Sequence, residues 1–458
     1  MDEVTDNGSF WFDSLDAPVE ARPPAEFPDS VDIAIIGAGF TGLWTAWYLK
    51  QRNPDANIAV FESNTVGFGA SGRNGGWCMG WAMGIEQMFA RPKLVPKALA
   101  VARAMQDTVD EVGRVCQAEN IDCHYAKGGT LTVATTPFHA KHLRATAQQR
   151  RNAGLAEADY VWLEPDEAKQ RINMTPNYGA LYTPHCAAIH PARLVRGLGE
   201  RLRERGVTIL EQTRVNAFSP GKLATSRGDV TAGIILRATE GYTDSIAGEA
   251  RKLLPLYSMM IATEPLPAQI WQQIGLARRE TFGDARRVVI YGQRTLDDRI
   301  AFGGRAGYYF GSRRIPVIPT SDPHFKHVER TLKSLFPMLA PYKVTHRWGG
   351  LMGVPRHWRP SVSFDRATGL GAAGGYTGEG VAATNLAGRI LADLVTGNDS
   401  ALTKLPWVGD TARRWEPEPL RWFGVSAIER FGDRADAHEL RSGKPSKFWG
   451  WLFDRFVG

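Results

Sequence analysis

The chain has 458 residues, of which 43% are hydrophobic and 22% are charged, with a formal net charge of +7 and a pI near 9.2. This composition is ordinary for a globular protein and is enough for two or three domains with a large core. Because the basic residues are scattered without a long run, the charge favours a solvated basic surface and argues against nucleic-acid binding.

The strongest local signal lies near the start of the chain. After a polar N-terminal arm, predicted over 1–30, an apolar strand from Ile33 runs into Gly37-Ala38-Gly39-Phe40-Thr41-Gly42 and a predicted helix over 43–50. A second apolar run over 58–61 ends on Glu62, followed by Ser63. This β-α-β pattern is typical of a dinucleotide-binding unit, whose three glycines allow a tight turn, approach of a pyrophosphate and close helix packing. Glu62 is expected to accept hydrogen bonds from a ribose and to repel a 2′-phosphate.

A second glycine-rich segment follows the acidic residue. It contains Gly69, Ala70, Ser71, Arg73, Asn74, Gly75 and Gly76. Such small residues let peptide N–H groups turn inward as an anion-binding nest or lie against a planar ring. The alternative is a mobile surface loop, and the Arg-Asn pair inside the segment argues against it. We therefore expect these seven residues to contact the ligand.

The middle of the chain alternates helical and strand-like patterns. Helices are predicted over 96–117, 137–153, 191–205, 324–335 and 380–395. Strands are predicted over 129–135, 207–211, 234–238, 257–263, 287–291, 299–303, 307–310 and 345–352. Four cysteines show neither a metal-ligand spacing nor a C-x-x-C motif, which indicates reduced thiols, no metal site and a cytoplasmic protein.

A third glycine-rich segment precedes the last predicted helix. Gly374-Gly375-Tyr376-Thr377-Gly378-Glu379-Gly380-Val381 follows a short strand, so the start of the helix would face the ligand. A helix N-terminus favours a developing negative charge by about 0.3–1 kcal/mol. A reduced flavin carries such a charge and a reduced nicotinamide does not. Three ligand loops spread along the chain therefore indicate FAD rather than NAD, although an NAD-linked dehydrogenase is retained as an alternative.

The quoted glycine motifs, together with Ser71-Gly72-Arg73-Asn74-Gly75-Gly76, resemble those of the D-amino-acid oxidase and glycine oxidase family of flavoproteins. Within this family they are most similar to the gamma-glutamylputrescine oxidoreductase-type amine oxidoreductases. The resemblance implies a two-domain α/β protein, in which a Rossmann-like FAD-binding domain of the p-hydroxybenzoate-hydroxylase type carries an inserted mixed β-sheet. It also implies FAD contacts at the glycine-loop positions and at Val215 and Gly241.

The order of the predicted elements indicates the following domain organisation. The FAD-binding domain is discontinuous over 31–85, 190–250 and 360–398, and the substrate domain covers 86–189 and 251–359. The remaining 399–458 form an aromatic C-terminal tail. We expect this tail to pack on the protein itself or on a second subunit of a homodimer, with peripheral membrane contact as the less favoured alternative.

Two departures from the family pattern bear on chemistry. Gly349 stands near the position of the cysteine that attaches flavin covalently in sarcosine-oxidase relatives, which implies non-covalent FAD. Glu379 stands where family members commonly have histidine, and Ala382 stands where sarcosine-oxidase relatives carry a lysine for a substrate carboxylate. These differences indicate a cationic amine rather than a simple amino acid as substrate.

Four residues are the catalytic candidates: Glu379, Trp348, Arg305 and Tyr257, with Tyr291 and Arg356 as further pocket candidates. Core packing is the alternative role for the aromatic residues, a surface salt bridge for Arg305, and stabilisation of the helix start for Glu379. The expected reaction is amine oxidation at a C–N bond by hydride transfer to the flavin, followed by imine hydrolysis. Amino-acid oxidation and a non-catalytic flavin-bearing subunit remain the alternatives.

Overall fold

Two mixed eight-stranded sheets form the framework of the protein. The computed structural model describes residues 8–22, 26–305, 307–315 and 317–457. In chain order, the strands are β1 (Ser30–Ile36), β2 (Ile58–Phe61), β3 (Trp77–Met79), β4 (Thr130–Val133), β5 (Val161–Leu163), β6 (Ala180–Thr183), β7 (Cys186–Ala188), β8 (Thr208–Leu210), β9 (Val215–Ser219), β10 (Lys222–Thr225), β11 (Gly228–Arg237), β12 (Leu253–Thr263), β13 (Thr281–Asp284), β14 (Ile290–Arg294), β15 (Ile300–Arg305), β16 (Val344–Pro355), β17 (Ser361–Asp365) and β18 (Leu370–Gly374).

Helices cover both sheets. They are α1 (Phe10–Asp13), α2 (Phe40–Arg52), α3 (Ile85–Phe89), α4 (Val95–Ala118), α5 (Pro137–Asn152), α6 (Pro165–Arg171), α7 (Pro191–Glu204), α8 (Ala268–Ile274), α9 (Pro323–Leu335), α10 (Gly380–Thr396), α11 (Leu420–Ser442) and α12 (Lys447–Val457). No helix in the described part of the chain is both long enough and apolar enough to span a bilayer.

The first sheet has the strand order β17-β18-β11-β1-β2-β8, and β10 and β9 extend it beside β11. Strand β1 runs parallel to both β2 and β11, and all four residues of β2 are buried. Alternate residues of β1 point to opposite faces, so Ile33 and Ile35 pack with the helices while Ala34 and Ile36 pack with the β9–β10 side. Burial of both faces explains the nearly continuous apolar run of β1.

Helix α4 lies within 86–189, the range predicted for the substrate domain. Its buried residues Val101, Met105 and Val109 belong to the same hydrophobic core as Leu386 and Ile390 of α10. Helix α4 therefore packs on α10, which itself lies against β17 and β18 of the first sheet.

The second sheet has the order β16-β12-β15-β14-β13-β4-β6-β5. Strand β12 lies between β16 and β15, and every one of its residues is buried. Helix α9 packs on this sheet through an apolar face that includes Phe325 and Leu332. We propose that the first sheet with its helices forms the FAD-binding domain and that the second sheet forms the substrate domain.

Some local predictions were wrong. The predicted strand over 307–310 is absent; the chain turns at Phe310–Ser312, where Gly311 has a φ of 72°. The predicted strand over 287–291 begins later, at Ile290. Strands β9 and β10 were not predicted. Each of these segments is short and alternates weakly, so its conformation depends on the neighbouring strand rather than on a strong local pattern.

Two segments near the ends of the described chain pack on the protein. In the predicted polar arm, Phe10, Trp11 and Phe12 are 3%, 1% and 5% exposed. The predicted aromatic tail forms the helical pair α11–α12, in which the Glu439 carboxylate receives a hydrogen bond of 2.7 Å from Arg287, which lies between β13 and β14. Residues 10–12 of the arm are therefore part of the core, because their aromatic side chains are removed from water.

Candidate functional site

The turn from β1 into α2 has the geometry expected of a dinucleotide-binding loop. Gly37 has a φ of 104°, which favours glycine, and its N–H donates to the Phe61 carbonyl at 2.8 Å. A Cβ atom on Gly42 would lie 2.0 Å from the Gly37 carbonyl oxygen, so the helix packs as closely as only glycine allows. The Phe40 N–H donates to Ser71 Oγ at 2.8 Å, which joins this turn to the second glycine segment.

Glu62 lies at the carboxyl end of β2. One carboxylate oxygen accepts from the Ala38 N–H at 2.9 Å and the other accepts from the Asn64 N–H at 2.9 Å. Burial raises the pKa of Glu62, and these two hydrogen bonds limit the rise. The Glu62 carboxylate therefore stabilises the turn through hydrogen bonds and also lines a large cavity.

A large cavity of about 1580 Å³ is lined by residues of both sheets. Drug-sized ligand sites span roughly 300–1,000 Å³, so this cavity has room for a dinucleotide together with a substrate. It is lined by the predicted residues Gly37, Gly39, Phe40, Thr41, Glu62, Ser63, Gly69, Ala70, Ser71, Arg73, Asn74, Gly75, Val215, Tyr376, Thr377, Gly378 and Val381. All three glycine segments line this one cavity, as expected for a long ligand such as FAD.

Four predicted contact residues do not line the cavity: Gly42, Gly76, Gly241 and Gly375. Each is held against protein instead. A Cβ on Gly76 would meet Gln293 Nε2 at 2.0 Å, one on Gly241 would meet Leu351 Cγ at 2.9 Å, and one on Gly375 would meet Pro355 Cγ at 2.8 Å. These glycines allow close packing behind the cavity wall, which the sequence pattern does not distinguish from ligand contact.

Local side-chain contacts fix the conformation of the second glycine segment. The side-chain amide of Asn74 donates to the carbonyls of Ala70 and Ser71 at 3.1 and 3.0 Å, and its oxygen accepts from the Gly76 N–H at 2.8 Å. The Arg73 guanidinium donates to the Phe68 carbonyl at 2.9 Å and lies 4.8 Å from the centre of the Phe68 ring. Arg73 is 5% exposed, so its positive charge is kept at the cavity wall.

The third glycine segment is tied to the first. The hydroxyl groups of Tyr376 and Thr41 lie 3.1 Å apart, although the two residues are 335 positions apart in the chain. Thr377 adopts a φ of 55°, which turns the backbone immediately before α10. The start of α10 therefore faces the same cavity as the start of α2, as the sequence pattern predicted.

Sequence reasoning missed Glu240, which also lines the cavity. Its carboxylate accepts from the N–H groups of Gly375 at 2.8 Å and Tyr376 at 3.2 Å. Burial raises the pKa of Glu240 to about 7, while these hydrogen bonds, nearby Arg237 and the Gly353 N–H oppose the rise. One signal in the sequence could have identified it: Glu240 is an acid that closely follows an apolar strand at a predicted ligand-binding edge.

Aromatic side chains line another part of the cavity, including Trp77, Tyr242, Tyr257 and Tyr291. The Tyr257 hydroxyl accepts from the Ile315 N–H at 2.7 Å, and burial raises the pKa of Tyr257. The Tyr291 ring meets Trp77 edge-on, with centroids 6.1 Å apart. This wall is apolar with fixed hydroxyl groups, a surface suited to a flat ring and a small organic molecule.

Glu379 faces the cavity from the residue directly before α10. Its side chain makes no capping hydrogen bond to the helix, so it could stabilise the helix start only through its charge. Burial first, and then the negative charge of Glu379, raise the pKa of the buried Cys186 thiol to about 12.

Two candidates lie away from the cavity lining. Trp348 is 1% exposed and packs with Phe10 and Trp11, and its indole N–H donates to the Arg73 carbonyl behind the cavity wall at 2.9 Å. We correct its catalytic assignment on this ground, because its ring has no path to a substrate. Arg356 pairs with Glu416 at 3.3 Å on the outside. The backbone of Arg305 ends β15, and its side chain lies outside the described part of the structure.

Two cavity features have no counterpart in the sequence predictions. Pro18 to Ala21, which belong to the N-terminal arm, lie along the wall that also contains Glu62. Arg314 also lines the cavity, and it forms an ion pair with Asp244 at 2.7 Å. Neither segment carries a recognisable motif, and only the folded chain brings them to the site.

The comparisons with known proteins agree with this geometry. A family model described as "FAD dependent oxidoreductase" (DAO) matches residues 32–394. The chain is 26% identical to "Probable oxidoreductase OrdL" from Haemophilus influenzae, with 86% of this chain and 89% of that protein covered. It is 28% identical to "Gamma-glutamylputrescine oxidoreductase" from Escherichia coli K12, with 80% and 84% covered.

Solved structures share the fold. Glycine oxidase from Geobacillus kaustophilus superimposes with a TM-score of 0.69 at 21% identity, covering 85% of this chain and 100% of that one. L-proline dehydrogenase from P. horikoshii superimposes with a TM-score of 0.68 at 20% identity, covering 83% and 96%. The family match covers well over half of the sequence and includes all three glycine segments. The chain therefore belongs to the DAO family of FAD-dependent oxidoreductases.

Proposed function

We propose that this protein oxidises a C–N bond of a small amine. FAD, held by the residues assigned in the next paragraph, would supply the acceptor for the hydride that leaves the carbon beside the nitrogen. The amine nitrogen loses a proton, and water hydrolyses the resulting imine to a carbonyl compound and ammonia or a smaller amine. Dioxygen or another two-electron acceptor completes the cycle.

We assign the cofactor contacts by position along the cavity. Glu62, Ser63 and Val215 would hold the adenosine end, where carboxylate and backbone groups face the cavity. The starts of α2 and α10 would hold the charged middle and the ring, because helix N-termini offer free N–H groups and a positive dipole end. Arg73 adds a fixed positive charge beside the second glycine segment.

The position of Glu379 is the observation that carries the amine assignment. Its carboxylate faces the cavity beside the third glycine segment. An alkylamine has a pKa near 10, by analogy with lysine, so it arrives as a cation. Glu379 would attract this cation and accept its proton, and the aromatic wall would favour the neutral amine by desolvation. Only the neutral amine has the electron pair that assists hydride loss.

Arg314, one of the cations that line the same cavity, supports the same assignment. Its guanidinium could receive a substrate carboxylate, but it already pairs with Asp244 at 2.7 Å. Amino-acid oxidation is the second candidate, since Arg314 could exchange this partner for a substrate. Among the relatives, the names cover both classes, gamma-glutamylputrescine in one protein and glycine in another.

Anaerobic reduction of the bound flavin tests the proposal. The holoenzyme is mixed with a primary monoamine, a diamine, glycine, N-methylglycine and both enantiomers of alanine, and loss of the visible flavin absorbance is followed. Dithionite defines full reduction. Rapid bleaching by amines alone is expected. Bleaching by the amino acids alone would replace the proposal with the second candidate, and bleaching by none of these compounds would favour a non-catalytic flavin subunit.

A further inference from the structure

Four consecutive backbone carbonyl groups of the second glycine segment accept hydrogen bonds from side chains that do not line the cavity. The Ser9 hydroxyl donates to the Gly72 carbonyl at 3.0 Å, and Trp348 Nε1 donates to the Arg73 carbonyl at 2.9 Å. Trp11 Nε1 donates to the Asn74 carbonyl at 2.7 Å, and Gln293 Nε2 donates to the Gly75 carbonyl at 2.8 Å. The four donors come from the N-terminal segment, β14 and β16.

All four donor side chains are buried. Ser9 and Gln293 are 0% exposed, and Trp11 and Trp348 are 1% exposed. Hydrogen bonds in such a place are costly to lose, because a carbonyl left without a donor keeps its full desolvation penalty of about 1–3 kcal/mol. The four bonds therefore fix the orientation of the peptide groups, and they do so without using any residue of the cavity lining as a donor.

The orientation of each carbonyl also fixes the direction of the N–H group in the same peptide. In a trans peptide the C=O and N–H bonds point in opposite directions. The carbonyl of Arg73 shares its peptide with the Asn74 N–H, and the carbonyl of Asn74 shares its peptide with the Gly75 N–H. Both indoles hold their carbonyls on the far side, so these two N–H groups point toward the cavity that Asn74 and Gly75 line.

Packing supports the same arrangement. The Trp11 and Trp348 rings meet edge-on with centroids 6.1 Å apart. A Cβ on Gly72 would lie 2.3 Å from Cζ of Phe12, so the N-terminal segment seats directly on the glycine segment. The sequence describes these residues as a polar arm with a few aromatic side chains, but the contacts join them to the cofactor cavity.

We infer that Trp11 and Trp348 are positioning residues for the flavin: through the carbonyls of Asn74 and Arg73 they aim two peptide N–H donors at the bound ring. Such donors favour the negative charge that a reduced flavin carries, so they raise its reduction potential as well as its affinity. This inference rests on the FAD dependence of the family and is independent of which substrate is oxidised.

The test uses Trp11→Phe and Trp348→Phe, which keep an aromatic ring, remove the N–H donor and make the side chain smaller, a loss of volume that the control variant shares. Trp44→Phe is the matched control: Trp44 is fully buried, and its Nε1 has no hydrogen-bond partner among the described residues. Three quantities are measured: the Kd of the flavin-free protein for FAD by fluorescence quenching, the reduction potential of bound FAD by spectral titration against dyes of known potential, and the melting temperature of the flavin-free protein.

For either indole variant we expect a Kd about tenfold higher, equivalent to ~1.4 kcal/mol, and a more negative flavin potential. The control should change neither quantity. An unchanged Kd and potential in both indole variants would overturn the inference. So would a change in Kd and potential that Trp44→Phe reproduces, since the effect would then come from packing alone. Trp11 and Trp348 lie on separate elements, so if one variant does not fold, the Kd and potential of the other variant still test the inference.

Discussion

The carboxylate of Glu240 lies 2.8 Å from the amide nitrogen of Gly375, at the joint between β11 and the third glycine segment. Burial raises the pKa of this acid to about 7, although hydrogen bonds and Arg237 oppose the rise. The group therefore changes charge near neutral pH, inside the cavity wall. This relationship gives the first prediction.

Glu240→Gln should change the pH dependence of stability. The pKa of Glu240 is higher in the folded protein than in the unfolded chain, so folding favours the protonated acid. This contribution to the free energy of unfolding is complete below about pH 4.5 and is lost as the pH rises through about 7. Glutamine resembles the neutral acid. The melting temperature of the flavin-free variant should match that of the wild type near pH 4.5 and exceed it increasingly from pH 5 to 8.

Glu439→Gln is a matched control with the opposite sign. Burial raises the pKa of Glu439, but the His139 ring at 3.8 Å and hydrogen bonds from the Ser446 N–H and Arg287 outweigh burial and hold the pKa below its usual value. This acid stabilises the protein as an anion, so its glutamine variant should be less stable than the wild type at pH 7. A Glu240→Gln difference that stays constant between pH 5 and 8 would contradict the first prediction.

The flavin should be bound without a covalent link. Gly349 stands near the position of the attachment cysteine of the relatives and carries no side chain that could bond to the flavin. A Cβ there would lie 2.2 Å from Ile318 Cδ1, so any larger residue would have to displace the end of the Ile318 side chain. Acid precipitation of the yellow protein should leave the flavin in the supernatant, where its absorbance is measured. Flavin that stays in the washed pellet would show a covalent bond.

Glu62→Gln should weaken FAD binding. The variant loses a charged acceptor that faces the cavity, and hydrogen bonds to charged groups contribute about 1.5–3 kcal/mol. The Kd for FAD should therefore rise roughly 10- to 150-fold. Glu204→Gln serves as control, because this acid forms an exposed pair with Arg201 on α7. Equal FAD affinity in the Glu62 variant and the wild type would refute the ribose assignment.

Glu379→Gln should slow amine oxidation. The variant keeps the size of the side chain and removes its charge. Two charges about 4 Å apart interact by roughly 4 kcal/mol at an effective dielectric of 20, before desolvation and screening reduce the effect. A loss of ten- to hundredfold in kcat/KM, about 1.4–2.7 kcal/mol, is expected for an amine at unchanged FAD content. Unchanged reduction kinetics across pH would remove Glu379 from the mechanism.

Two glycine substitutions should have opposite effects on stability. Gly42→Ala forces a Cβ to within 2.0 Å of the Gly37 carbonyl oxygen, so the β1–α2 turn must open. We expect it to lower the melting temperature and to abolish FAD retention, since overpacking costs about 1–3 kcal/mol or more. Gly424→Ala lies in α11, where an added Cβ meets nothing within 4 Å. It should stabilise the protein by about 0.5–1 kcal/mol, and thermal melts of both variants provide the measurement.

The sequence by itself determined the parts of the protein that depend on local geometry. The spacing from Gly37 to Glu62 specifies a strand, a tight turn and a helix within one short stretch. The FAD dependence that the three glycine segments indicated is confirmed by the family match. The helices over 96–117 and 137–153 were likewise predicted to within one or two residues, because their apolar period is a property of consecutive residues.

Only the tertiary structure decided which residues support the cavity. Trp11 and Asn74 are 63 positions apart, Glu240 and Gly375 are 135 apart, and Trp348 and Arg73 are 275 apart. No periodicity or motif relates such pairs, and an indole in a polar arm or on a buried strand has the same local pattern whether it packs in a core or faces a ligand. Their roles follow from hydrogen bonds that form only when the N-terminal segment and both sheets come together, because chain folding alone sets those distances.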